Sequence, residues 1–198
     1  MLSLEEGTLL VKLARKTIEN YVRDGKVPPR PRVSEKLRKP RGVFVTLTRK
    51  GELRGCIGYP FPTKPLVDAV MDAAVSSAVR DPRFPPVRVR ELSEIIVEVS
   101  VLTEPEVIQA KRPSEYPKHI EIGKHGLIVE WSGYGGLLLP QVPVEWRWDA
   151  EEFLSQTCVK AGLPPDCWLE RDVTIKRFSA QIFKEKEPGG EVEEHPLG

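Results

Sequence analysis

The chain has 198 residues, 40% of them hydrophobic and 30% charged, and its 30 basic and 29 acidic side chains nearly cancel to a formal net charge of +1. That balance argues against a surface built throughout for nucleic acid, and the length suffices to bury a real core in one large domain or a domain with a smaller annex. No apolar run reaches membrane length, and the opening MLSLEEGTLL lacks the charged n-region and cleavage site of a signal peptide, so a cytoplasmic protein with no membrane partner is expected.

Ser3-Leu4-Glu5-Glu6 has the capping-box pattern, and Leu10, Leu13, Ala14, Thr17, Ile18 and Tyr21 continue a helical stripe that Asp24-Gly25 stops. The proline-rich basic segment KVPPRPRVSEKLRKPRG follows and cannot be regular over most of its length. GVFVTLTRKGELRGCIG reads as a hairpin turning at Arg49-Lys50-Gly51. Thr63, after the YPFP break, is placed to cap a helix carrying Leu66, Val67, Val70, Met71, Ala74 and Ala78 on one face, ended by DPRFPP. In SEIIVEVSVLTEP, Ile95, Val97, Val99 and Val101 face one side and Glu98 and Ser100 the other.

HIEIGKHGLIVEWSGYGGLLLP supplies two or three more strands with a turn at Ser132 to Gly136. Asp149 and Glu152 open a helix through Phe153, Leu154 and Cys158 that Gly162 ends, and DVTIKRFSAQIFKE alternates as a final strand. The domain is placed at residues 1–184, with room for two lobes, and residues 185–198 are expected to be an acidic flexible tail. Hairpin-linked strands with interspersed helices and no regular βαβ alternation predict an α+β fold on a mostly antiparallel sheet flanked by helices.

Cys56, Cys158 and Cys167 form no C-x-x-C, and His119, His125 and His195 lack ligand spacing, so no metal and no cofactor is expected. SGYGG lacks the lysine and following helix of a phosphate loop. The nine-residue spacing of Cys158 and Cys167 leaves a disulfide open, since hyperthermophile cells tolerate intracellular bridges. The single asparagine, Asn20, beside 19 prolines leans toward a thermophile.

LRGCIG, DPRFPP, VEVSVLT and GLLLPQVPVEW together resemble the AMMECR family, from about residue 42 to residue 183. The resemblance implies an α+β antiparallel-sheet domain with a smaller second lobe, of the kind grouped with nucleotide- and nucleic-acid-binding folds. It also implies Memo-family and radical S-adenosylmethionine proteins as partners, because the genes often lie together. It implies no particular reaction.

Two constellations carry chemistry. Cys56 is the candidate nucleophile, with Arg54 or Arg83 to stabilise a thiolate, although no histidine is marked as its base. The bland alternative is a small, half-buried strand cysteine. Arg54, Asp81 and Arg83, with the close backbone approach that Gly55 and Gly58 permit, would form an anion pocket if DPRFPP folds over LRGCIG. Alternatively, Asp81 and Arg83 lock the loop. The functional readings are therefore an enzyme or enzyme subunit acting on a small anionic or nucleotide-like substrate at a Cys56/Arg54 cleft, or a non-catalytic module. The module would bind nucleic acid, a nucleotide or a protein through the same pocket and the basic linker.

Overall fold

The computed structural model describes residues 1–195 and divides them into two compact units, Met1–Leu102 joined by residues 181–195, and Thr103–Ala180. It is α+β, with a five-stranded sheet in the first unit and a four-stranded sheet in the second. Among the described residues, no helix is long and apolar enough to cross a membrane.

The first unit opens with helix α1 (Leu4–Asp24), capped as its sequence predicts. Ser3 Oγ accepts from Glu6 N (3.2 Å), and the Glu6 carboxylate accepts from Ser3 N (2.9 Å). Gly25, at φ +67°, ends it by donating to the Tyr21 carbonyl. A short helix α2 (Glu35–Arg38) interrupts the basic linker. Strands β1 (Val43–Arg49), β2 (Glu52–Tyr59), β3 (Ile95–Leu102), β8 (Ala180–Glu185) and β9 (Val192–His195) then form a sheet in the order β2-β1-β3-β8-β9.

One face of that sheet packs on α1 and on helix α3 (Leu66–Val79), burying Leu10, Ile18, Val45, Leu47, Ala73, Ala74, Val97, Val99 and Phe183. The β3 alternation is as predicted: Ile95, Val97, Val99 and Val101 are buried, while Glu98 and Ser100 are half-buried. Arg15 staples α1 to the sheet. Its guanidinium holds the buried Glu185 carboxylate (Nη2–Oε2 2.7 Å), which also accepts from Val97 N (2.9 Å). Helix α3 starts after Pro65 with no side-chain cap, so Thr63 lies two residues too early to cap it. A bridge between Pro40 and Pro65 sets that start instead.

The acidic segment expected as a loose tail from residue 185 is instead structured through His195, because β9 completes the sheet edge. Val192–His195 pair antiparallel with Ile182–Glu185. Gln181 Nε2 donates to Glu194 (3.0 Å), Lys186 meets Glu191 (3.1 Å), and Gly189 turns the chain at φ +74°. An edge strand needs backbone pairing and compensated charge more than apolar surface, which composition alone does not reveal.

In the second unit, β4 (Glu106–Val107), β5 (Gly126–Trp131), β6 (Tyr134–Leu138) and β7 (Thr174–Phe178) lie in the order β4-β7-β5-β6. Ser132 and Gly133, at φ +50° and +83°, make the β5–β6 turn, shorter than the expected Ser132–Gly136, since Tyr134–Gly136 already pair in β6. Asp149 caps helix α5 (Ala150–Lys160) by accepting from Glu152 N (2.9 Å). Phe153 and Leu154 pack on Leu127, Val129 and Ile175. Cys158 and Cys167 are joined in a disulfide with Cα atoms 6.2 Å apart. GLLLPQVPVEW contains a helix not foreseen, α4 (Gln141–Trp146), and Trp146 and Trp148 stack with ring centroids 6.1 Å apart. The predicted final strand is two strands belonging to different sheets, parted at Ser179.

Candidate functional site

LRGCIG is the edge strand β2, led in by a turn whose central residues Lys50 and Gly51 both have positive φ (53° and 85°). The pairing with β1 slips once: Leu47 faces Gly55 and Thr48 faces Leu53, which leaves Arg54 without a partner across the ladder. Such a bulge re-aims its side chain, so simple alternation does not carry through Arg54. The glycines serve close packing. A Cβ at Gly55 would run into the Ser77 carbonyl of α3, and one at Gly58 into the Val43 carbonyl and Phe44 of β1. Ser77 Oγ completes the α3–β2 contact by accepting from Ile57 N (3.0 Å).

DPRFPP does fold back onto LRGCIG. Asp81 is buried, and its carboxylate accepts from Cys56 N (2.9 Å), Arg83 N (3.1 Å), Arg83 Nε (3.0 Å) and Arg83 Nη2 (2.7 Å). Arg83 Nη2 also donates to the Cys56 carbonyl (3.2 Å). Hydrogen bonding to Arg83, above all, holds the Asp81 carboxyl well below the ordinary carboxylate range. The Cys56 thiol is half-buried, 3.3 Å from Thr46 Oγ1, and desolvation pushes it up despite that hydrogen bond and the Arg83 charge. A thiol shifted that way is a poorer nucleophile at neutral pH.

Arg54 goes elsewhere. The chain after DPRFPP makes a short 3-10 turn, Val89–Glu91, that presents a nearly buried carboxylate. Arg54 Nε and Nη2 donate to Glu91 Oε1 (2.9 Å) and Oε2 (3.2 Å), a bidentate pair. Arg49 Nη1 reaches the same Oε1 (3.3 Å), and Arg88 N donates to Oε2 (2.8 Å). Arg54, above all, depresses the Glu91 carboxyl.

Beside this pair lies a pocket of about 420 Å³, walled by Pro85 and Pro86 and lined by Arg49, Arg54, Arg88, Arg90 and Glu91. Arg54 is paired with Glu91 and Arg49 with Glu94 (Nε–Oε2 2.6 Å), which leaves the charges of Arg88 and Arg90 over. Arg88 and Arg90 are exposed and have no ion-pair partner among the described residues. Arg54 Nη1 is the one buried side-chain nitrogen or oxygen among them with no hydrogen-bond partner. The arrangement can hold an anion through guanidinium forks, and its one carboxylate, Glu91, is held ionised chiefly by Arg54.

Of the residues singled out in the sequence, Cys56, Asp81 and Arg83 are thus brought together in one hydrogen-bonded cluster, and Gly55 and Gly58 lie in the packing beneath. Arg54 stands apart from them with Glu91. Sequence reading missed Arg49, Arg88, Arg90 and Glu91. The signal available for the last three was PPVRVRE, arginines at alternate positions after a proline pair.

The AMMECR1 family model matches residues 11–183. A protein of Thermococcus gammatolerans is 58% identical, covering 98% of this chain and 97% of its own length, and one of Methanocaldococcus jannaschii is 53% identical, covering 100% and 98%. The crystal structure of an uncharacterised protein from Pyrococcus horikoshii superposes with a TM-score of 0.84 at 53% identity, over 96% of this chain and 97% of that one. Relatives from thermophiles fit the asparagine-poor composition. The chain belongs to the AMMECR1 family.

Proposed function

We propose that this AMMECR1-family protein is a binding module that captures an anionic ligand in the arginine pocket beside LRGCIG. The observation that carries this is a pocket lined by four arginines and one carboxylate, in which Arg88 and Arg90 are exposed and without ion-pair partners among the described residues.

The enzyme reading centred on Cys56 has less behind it. The thiol does not line the pocket, its backbone amide and carbonyl are taken by Asp81 and Arg83, and burial disfavours the thiolate. Partnership with Memo-family or radical S-adenosylmethionine proteins is compatible with a module that presents a bound ligand, and pull-down against each would test it.

Phosphate or sulfate titrated into the protein at low salt should shift the amide signals of Leu53–Gly55 and Arg88–Glu91. Arg54→Ala should weaken binding by on the order of 1.5–3 kcal/mol. Arg54→Lys, which keeps the charge and loses the fork, should rescue only part of it. A wild-type protein whose signals do not move at millimolar anion would refute the reading.

A further inference from the structure

We infer that the ligand of this pocket is a compact polyphosphate, a pyrophosphate-type group on a small molecule, rather than a carboxylate or a lone phosphate. The inference rests on the anion-binding reading above and asks what charge and size the pocket fits.

Charge comes first. Glu91 is engaged with Arg54, Arg49 and the Arg88 backbone, so it neutralises little of what remains. Arg88 and Arg90 stand one residue apart on the same turn, both exposed and without ion-pair partners among the described residues. A carboxylate brings one negative charge and two coplanar oxygens, enough for a single fork. It would leave the other guanidiniums repelling one another in the pocket. Two linked phosphates bring two or more charges and oxygens in several directions, so one ligand can bridge the exposed Arg88 and Arg90.

Size agrees. About 420 Å³ is roughly fourteen times the volume share of a water molecule, and it falls within the range of sites for small organic ligands. One phosphate would occupy a small part of it. The walls agree as well, because Pro85 and Pro86 have no N–H to donate. Recognition therefore falls to side-chain cations, whose attraction grows with each charge the ligand carries and weakens with salt. Convergence on one concavity favours neighbouring phosphates on a small molecule over charges strung along a nucleic-acid strand.

The test compares affinities of the intact protein, in magnesium-free low-salt buffer, for acetate, phosphate, pyrophosphate, ADP and a short oligothymidylate. Pyrophosphate and ADP should each bind about tenfold or more tighter than phosphate, with acetate weakest. The double variant Arg88→Ala, Arg90→Ala should bring the pyrophosphate-to-phosphate ratio toward one. Arg112→Ala, an exposed cation of the other unit, should leave that ratio unchanged. Equal affinity for phosphate and pyrophosphate would overturn this inference while the anion site stands. Tighter binding of the oligothymidylate than of pyrophosphate, per phosphate, would overturn it in favour of a phosphodiester strand. No response to any anion would remove the site itself.

Discussion

Arg83 and Arg54 come from neighbouring motifs that fold against each other, yet they end in opposite conditions. Around Arg83 the buried acceptor is fully used: the Asp81 carboxylate accepts four bonds, and Arg83 Nη2 bonds both Asp81 and the Cys56 carbonyl. Around Arg54 the books do not balance, with a buried nitrogen idle and unpaired guanidiniums alongside. A saturated cluster fixes a loop and has little left for a ligand. An unsaturated one keeps charge that a ligand can meet. On the proposed reading, Asp81–Arg83 serve structure and the arginines beside Arg54 serve binding.

The largest test of that division removes the saturated acceptor. Asp81→Ala strips the acceptor from the Cys56 amide and the Arg83 guanidinium, and should destabilise the protein by about 3 kcal/mol in urea melts. A loss under ~1 kcal/mol would mean the cluster is not the lock described. Next, pyrophosphate at a hundred times its Kd should stabilise the wild type by about 2.7 kcal/mol, and Arg54→Ala should show far less at the same concentration. Equal ligand stabilisation in both would erase the contrast.

Acid should sharpen it further. The folded Asp81 carboxyl is depressed, so its contribution is complete above the unfolded value, near 3.9, and is lost as pH falls toward the folded one. Glu91, also depressed, adds a loss of the same sign. Stability should therefore drop below about pH 4, and Asp81→Asn should flatten the drop. The smallest effect concerns Cys56: its alkylation rate should inflect above the ordinary thiol range near 8.5, and Arg83→Ala should move the inflection higher by removing a cation. An inflection near neutrality would return Cys56 to the list of nucleophiles.

Much of this architecture was legible because it is local. The Ser3–Glu6 box, the Lys50-Gly51 turn, the β3 alternation and the Asp149 cap each need only a few neighbouring residues. The strand 174–185 misled because its alternation looks continuous, although burial jumps by three at Ile175, Phe178 and Gln181, which marks the break between sheets. The arginine-lined pocket was half legible. Arg54 and the Pro85-Pro86 pair stand inside recognisable motifs, whereas Arg49 enters only through the hairpin. Arg90 and Glu91 sit on a three-residue turn, with Arg88 just before it, too short for any periodic signature. A bulge that turns Arg54 aside follows from pairing across strands, and no single strand announces it.

Thr103 and Ser179 stand at the two ends of the second unit and hold each other: Thr103 N donates to the Ser179 carbonyl (2.7 Å), and Ser179 N donates to Thr103 Oγ1 (2.8 Å). The unit therefore leaves and rejoins its host chain at a clasp, and the Cys158–Cys167 crosslink lies wholly inside it. An insert whose ends already meet can be grafted, exchanged or lost in a lineage while the host strands on either side, β3 and β8, stay neighbours.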